Sequence, residues 1–311
     1  MWSTAPHRHG RLRRGSHRGR WTPVTSAPDP PEQWLPTVEV VVGGEPVQVW
    51  ERSVPDGTAA GPHLVFVHGF EESWDCWGPL AAHLPSDCRV SSLELPWHNN
   101  SDHVWARAGD AASWLEHGLR ALRVAPDLVV AHSFGACALV QLLACLNGSF
   151  RTPAALVAPV LRRQDPFLDP KFFEGAVGRF RGVIREGLTV RLGPRSARLL
   201  PGVLDRMVDT VLERVGAEGV LHFYLELARL ARLRPEHISV PLLILGGDDD
   251  PSAPENEVAD LRARLPDVRV RRQPDLGHFC HVEEAARIAE HLLRFLAELQ
   301  LTTPREELTG P

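Results

Sequence analysis

Val129-Val130-Ala131-His132-Ser133-Phe134-Gly135-Ala136 passes from an apolar stretch straight into a segment rich in Ala, Leu and Cys. Asp127–His132 reads as a buried strand and Phe134–Leu146 as a buried helix, which places Ser133 at the turn between them. A serine in so sharp a turn needs small residues two positions before and two after it, and Ala131 and Gly135 meet that need. The turn projects the hydroxyl clear of the sheet and aims a helix N-terminus at it, which favours developing negative charge. Taken alone the pattern also fits an ordinary strand-to-helix turn. The rest of the chain decides between the two.

Working outward, Thr37–Val42 and Val47–Glu51 predict a hairpin around Gly43-Gly44-Glu45-Pro46. His63–His68, Arg89–Leu95, Ala154–Pro159, Pro241–Gly246 and Val268–Arg272 predict further strands. Helical spacing recurs over Trp74–Leu84, Asp110–Arg123, Glu255–Leu265 and Glu283–Leu299. Strands alternating with helices of this length make an α/β fold, a mostly parallel sheet covered on both faces. One stretch breaks the rhythm. Residues 161–238 hold no convincing strand but show helical patterns over Pro201–Val215 and Gly219–Leu233. They predict a helical cap inserted between the core segments 36–160 and 239–300.

Two later motifs bear on Ser133. Gly246-Gly247-Asp248-Asp249-Asp250-Pro251 ends one predicted strand with acids, and Leu276-Gly277-His278-Phe279 follows the last one. The order Ser, Asp, His, each at the C-terminal end of a strand, gathers nucleophile, acid and base at one sheet edge, where open α/β sheets bind ligands. With these residues the chain resembles the α/β-hydrolase family from about Thr37 to Leu299. His68-Gly69-Phe70 resembles its oxyanion loop. Glu94-Leu95-Pro96-Trp97-His98-Asn99-Asn100-Ser101-Asp102 resembles its Asp-x-Pro-Gly-His-Gly-x-Ser-Asp segment, with Trp97 and Asn99 in place of glycines and Glu71 where many members carry a small residue.

The resemblance implies an eight-stranded sheet and a catalytic triad of Ser133, Asp250 and His278, with Asp248 the alternative acid. It implies an oxyanion hole from the backbone N–H groups of Phe70 and Phe134. Trp97, Phe172, Phe173, Phe223 and Tyr224 are candidates for the substrate pocket; the other cap aromatics and Trp74, Trp77, Trp105 and Trp114 read mainly as packing, with Trp105 a further contributor to an apolar site. His68, His98 and His132 read as scaffold. His278-x-x-His281 has the spacing of a metal pair, but the triad already uses His278, so neither a metal nor a cofactor is expected.

The expected activity is hydrolysis of an ester or thioester with a bulky apolar acyl group, in secondary metabolism, with acyl-carrier protein or coenzyme A thioesters as compatible substrates. Acyl transfer, C–C hydrolysis and acyl elimination use the same residues, and a non-catalytic ligand-binding homologue is the alternative from another class. A serine nucleophile argues against dehalogenase and epoxide hydrolase chemistry.

Composition narrows the setting. The 34 basic and 39 acidic residues give a net charge of −5 over 311 residues, yet Arg8, Arg11, Arg13, Arg14, Arg18 and Arg20 lie in the first twenty, where there is no acid. Setting those six aside leaves 28 bases against 39 acids, or −11 for the body, which disfavours nucleic acid as a partner. Residues 1–35 are predicted to be a disordered basic tail and 301–311 a short disordered C-terminal one. No apolar run reaches the length of a spanning helix, so membrane insertion is not expected. Five cysteines with no C-x-x-C pair, and a basic N-terminus without a following apolar run, suggest a reducing, cytoplasmic setting.

Overall fold

Trp34–Val42 (β1) and Glu45–Arg52 (β2) pair antiparallel about Gly43 and Gly44. Both glycines have positive φ, 57° and 94°, the conformation a two-residue hairpin turn requires. The computed structural model describes residues 34–53, 60–161 and 170–302, with side chains omitted at 170–174 and 301–302. The basic tail and the last nine residues lie outside that range. β1 starts earlier than the predicted Thr37: Trp34 is buried against Trp74, ring centroids 5.7 Å apart, so Trp34 and Leu35 belong to the sheet. The β1–β2 register slips between Pro36 and Val38.

The remaining strands are His63–Val67 (β3), Arg89–Glu94 (β4), Leu128–His132 (β5), Ala154–Val157 (β6), Leu242–Gly247 (β7) and Val268–Gln273 (β8). They form one eight-stranded sheet in the order β1-β2-β4-β3-β5-β6-β7-β8. β2 lies antiparallel to β4, and every pairing from β4 to β8 is parallel. Every residue of β3, β5, β6 and β7 is buried, as a parallel sheet covered on both faces demands.

Side chains alternate strictly between two apolar layers. Val65, Val67, Val129, Ala131, Leu242 and Ile244 face one layer, with Ala111–Arg120 (α2), Ser133–Cys145 (α3) and Glu255–Arg264 (α6). Leu64, Phe66, Leu128, Val130, Leu243 and Leu245 face the other, with Gly78–Ala81 (α1), Cys280–Glu283 (α7) and Ala285–Thr302 (α8). α3 contributes its length to the interior, which explains why its sequence has almost no polar face. The edge strand β8 differs: Arg269, Arg271 and Arg272 occupy half of it.

Two expectations need adjustment. Trp74–Leu84 is a 3₁₀ turn over Trp74–Trp77 followed by the single turn α1, because Pro79 lacks an N–H and fits only a helix start. Glu283–Leu299 divides into α7 and α8 at Glu284.

Between β6 and β7 the chain forms Pro170–Leu192 (α4) and Val203–Leu230 (α5), with no strand among the described residues there. α5 is interrupted at Gly216, whose φ of 62° and ψ of 179° are non-helical. Ala176, Phe180 and Ile184 of α4 pack with Val208, Val215, Val220, Tyr224 and Leu227 of α5, and this cluster rests on Cys137 of α3 and on Val160. No helix among the described residues is long and apolar enough to cross a membrane.

Candidate active site

β5 delivers Ser133 at its C-terminal end and α3 begins on it. Its φ of 49° is left-handed, a strained conformation for a residue with a side chain, held here by packing on both sides. Gly135 explains the small-residue requirement: a Cβ there would lie 2.5 Å from the His68 carbonyl oxygen and 2.9 Å from that of Val67. The turn can therefore press directly against the end of β3.

The loops after β7 and β8 bring the partners. His278 Nε2 lies 2.9 Å from Ser133 Oγ, and His278 Nδ1 lies 2.9 Å from Asp250 Oδ2. With the carboxylate accepting at Nδ1, the ring nitrogen facing Ser133 is free to accept the hydroxyl proton. Asp250 also accepts the Ser252 N–H at 2.8 Å through Oδ1. Burial pushes the Asp250 carboxyl up, but the His278 hydrogen bond and charge, with Ser252, outweigh it and hold it below the usual carboxylate range. Asp248 sits apart, about half exposed, beside Arg272. All three members of the Ser133–His278–Asp250 chain are nearly enclosed.

The loop after β3 runs close to Ser133. Gly69 N–H donates to Glu72 and Glu71 N–H donates to the Trp97 carbonyl at 3.0 Å, so the amides on either side of Phe70 are engaged. Phe134 is the second residue of α3, and an N–H in that position has no intrahelical partner. His68 is scaffold: its Nε2 accepts the Leu95 N–H at 3.0 Å, leaving Nδ1 to donate to the Gly69 carbonyl at 2.8 Å. Burial drives its pKa down to about 4, consistent with a neutral ring. His98 accepts the Asn100 N–H and is likewise pushed down by burial.

Aromatic rings close the apolar side. Phe70 packs edge-to-face on Phe134, Phe180 and Phe223 at 5.3, 5.7 and 5.3 Å, joining loop, elbow and cap. Phe223 thus packs against Phe70 of the loop and Phe134 of the elbow. Two other pocket candidates turn into the interior. Trp97 is fully buried beneath Phe134 and Trp105, with its indole N–H on the His68 carbonyl at 3.2 Å, so its size fills the core. Tyr224 turns into the cap interior and donates to the Ala176 carbonyl. The side chains of Phe172 and Phe173 lie outside those described. A cavity of about 200 Å³ opens beside the triad, lined by Val183 and Glu186 of the cap and by Asp249, Asp250, Leu276 and His278.

Several residues at the site carry no local sequence signal. Glu71, at φ 63°, accepts from His103 Nε2 at 2.6 Å and from Arg214 of α5, which also donates to the Ser101 carbonyl at 2.8 Å. This bond set ties the cap to the loop that carries Phe70. Glu72 meets His132 and His281 behind the triad. Each contact joins residues far apart in sequence, so no spacing rule exposes them.

Comparison with known proteins agrees with this architecture. A model described as "Alpha/beta hydrolase family" matches residues 64–291. The chain is 25% identical over 282 residues to the magnesium-chelatase 30 kDa subunit of Rhodobacter capsulatus, covering 81% of this chain and 92% of that protein. It is 23% identical over 209 residues to (E)-2-((N-methylformamido)methylene)succinate hydrolase of Acinetobacter baylyi, covering 62% and 74%. Among solved structures, the enol-lactonase from Burkholderia xenovorans LB400 superposes with a TM-score of 0.58 at 19% identity, covering 84% of this chain and all of that one. With the matched region spanning the sheet from β3 to β8 and every strand end that bears the site, the chain belongs to the α/β-hydrolase family.

Proposed function

We propose that the chain is a serine hydrolase that cleaves an ester or thioester through an acyl-enzyme. The observation that carries this reading is the continuous hydrogen-bonded series Ser133 Oγ, His278 Nε2, His278 Nδ1 and Asp250 Oδ2, each link at 2.9 Å. His278 takes the hydroxyl proton as Oγ bonds to the acyl carbon, and returns it to the departing alcohol or thiol. Water then repeats the sequence to release the acid. The negative charge of each tetrahedral intermediate falls to the Phe70 and Phe134 N–H groups; such donors are worth about 10²–10³ each in rate.

The aromatic cluster of Phe70, Phe134, Phe180 and Phe223 packed against the elbow supports an apolar acyl group. A cavity of about 200 Å³ is smaller than the roughly 300–1,000 Å³ of drug-sized ligand pockets, so a bulky substrate requires the cap residues that line it, Val183 and Glu186, to move. An acyl-carrier protein or coenzyme A thioester, a place in secondary metabolism and a cytoplasmic setting remain parts of this proposal. Acyl transfer, C–C hydrolysis or acyl elimination would use the same triad with a different acceptor or bond.

A second reading, a non-catalytic homologue, draws on the likeness to a protein named as a chelatase subunit rather than a hydrolase. One experiment separates them. Wild-type protein should react with a fluorophosphonate probe and hydrolyse members of a p-nitrophenyl ester and acyl-thioester panel, and Ser133→Ala should lose both. Labelling that persists in Ser133→Ala would sink the nucleophile assignment, and a wild type inert to probe and panel would favour the binding protein.

A further inference from the structure

Behind the triad lies a second group of ionisable side chains that the acyl chemistry does not use. Glu72 Oε2 accepts the Gly69 N–H at 2.5 Å and lies 2.7 Å from His132 Nδ1. The other His132 nitrogen, Nε2, lies 2.9 Å from the backbone carbonyl of His278. His281 Nε2 sits 3.3 Å from Glu72 Oε1, and its ring centroid is 4.0 Å from that of His132. His132 and His281 are sealed from solvent, and only about a tenth of the Glu72 side chain is exposed.

The two acceptors around His132 set a constraint. A neutral imidazole has a single N–H, while His132 faces a carboxylate on one side and a carbonyl on the other. A carbonyl can only accept, so Nε2 carries a proton, and one further proton must lie between Nδ1 and Glu72. Burial alone would place it on the carboxylate. Glu72 Oε2 already accepts the Gly69 N–H, and the neighbouring His132 and His281 hold the carboxyl well below the usual carboxylate range against the push of burial, so the shared proton sits on the His132 side.

We propose that Glu72 and His132 are positioning residues: a buried carboxylate–imidazolium pair that fastens the loop bearing the Phe70 N–H to the carbonyl of the catalytic His278. The loop after β3 and the loop after β8 come from opposite halves of the sheet, and among the described residues His132 bonds directly to both. Glu72 reaches from the first to His132, and His132 reaches from the elbow to the second. Base and oxyanion donor are thereby held at one spacing on either side of Ser133. A buried ion pair brings little net stability, so its value lies in geometry. The groups facing His132 are Glu72, His278, Phe279, His281 and Trp77, with Glu186 of the cap at longer range. The pair is neutral overall and leaves little net field on the His278 ring.

The placement of the oxyanion donor rests on the serine hydrolase reading, whereas the protonation state does not, and the test separates them. Histidine-selective ¹⁵N labelling of the intact chain should show both His132 nitrogens protonated at neutral pH, with the signal assigned by its loss in His132→Asn. In Glu72→Gln the His132 signal should become that of a neutral ring, while thermal unfolding confirms that the variant is folded. The fluorophosphonate labelling rate at Ser133 should fall by about 10²-fold in Glu72→Gln, with Glu72→Asp retaining a larger share of the rate.

A neutral His132 in the wild type, or an unchanged labelling rate in Glu72→Gln, would overturn the proposal. So would uptake of one equivalent of Zn²⁺ by the wild type that Glu72→Gln loses, since the ligand atoms of Glu72, His132 and His281 lie within 4.8 Å of one another. A wild type that does not label at all would refute the nucleophile instead, and the ¹⁵N spectra alone would then decide the pair.

Discussion

Asp250 shows how much one carboxylate controls. It accepts from His278 on one oxygen and from the Ser252 N–H on the other, so ring and loop are oriented together. Asp250→Asn keeps the shape but presents an N–H or a carbonyl with equal ease, and the ring can then settle with its proton toward Ser133. The expected loss of turnover is about 10⁴-fold, read in initial rates on the best ester of the panel, with Tm little changed. A loss below tenfold would mean that Asp250 does not orient the base. Ser133, Asp250 and His278 could be read from sequence because each sits beside turn residues at a strand end. Trp97 could not. Its position in the Glu94–Asp102 segment made it a pocket candidate, yet the indole packs wholly inward against Phe134 and Trp105.

At the scale of elements, the sheet was readable and the cap only in outline. Apolar runs such as Leu128–His132 show a buried strand directly, and short connections leave few alternatives for their order. Helix ends depended on local breaks that pattern alone overlooks, as at Pro79. The cap's helices were visible, but their seat on the core depends on contacts such as Arg214 reaching Glu71, across more than 140 positions of chain. Gly216 is the break in the cap that composition does explain. Its φ of 62° and ψ of 179° suit glycine alone, and no atom lies within 4 Å of a Cβ built there. Gly216→Ala should therefore destabilise through backbone strain rather than collision, by about 1–3 kcal/mol. Thermal unfolding should show a Tm lower by several degrees; an unchanged Tm would mean that α5 straightens without cost.

At the scale of the whole molecule, stability should carry an acid–base signature from Glu94. Burial raises this carboxyl from an ordinary 4.5 to about 8, partly offset by the Trp74 N–H that it accepts. His98 Nδ1 lies 3.7 Å from Glu94 Oε1, but it accepts the Asn100 N–H and burial lowers its pKa, so it brings Glu94 no compensating charge. The folded chain then keeps a proton that the unfolded chain has released, so stability declines as pH climbs from about 4.5 to about 8. Glu94→Gln should flatten that decline, a difference on the order of a few kcal/mol at the alkaline end. Denaturant unfolding across the range measures it, and parallel curves for both proteins would show Glu94 ionised throughout.

The two ends of the sheet have a further consequence. At one end the register slip beside Pro36 spoils the row of donors and acceptors that β1 would offer a neighbour. At the other, β8 places Arg269, Arg271 and Arg272 along its edge. A strand from another molecule would meet a missing N–H at one border and a row of ion-paired arginine side chains at the other. The fold thus guards itself against edge-to-edge aggregation, leaving the short, wholly buried strands whose ends carry the candidate site enclosed at the centre.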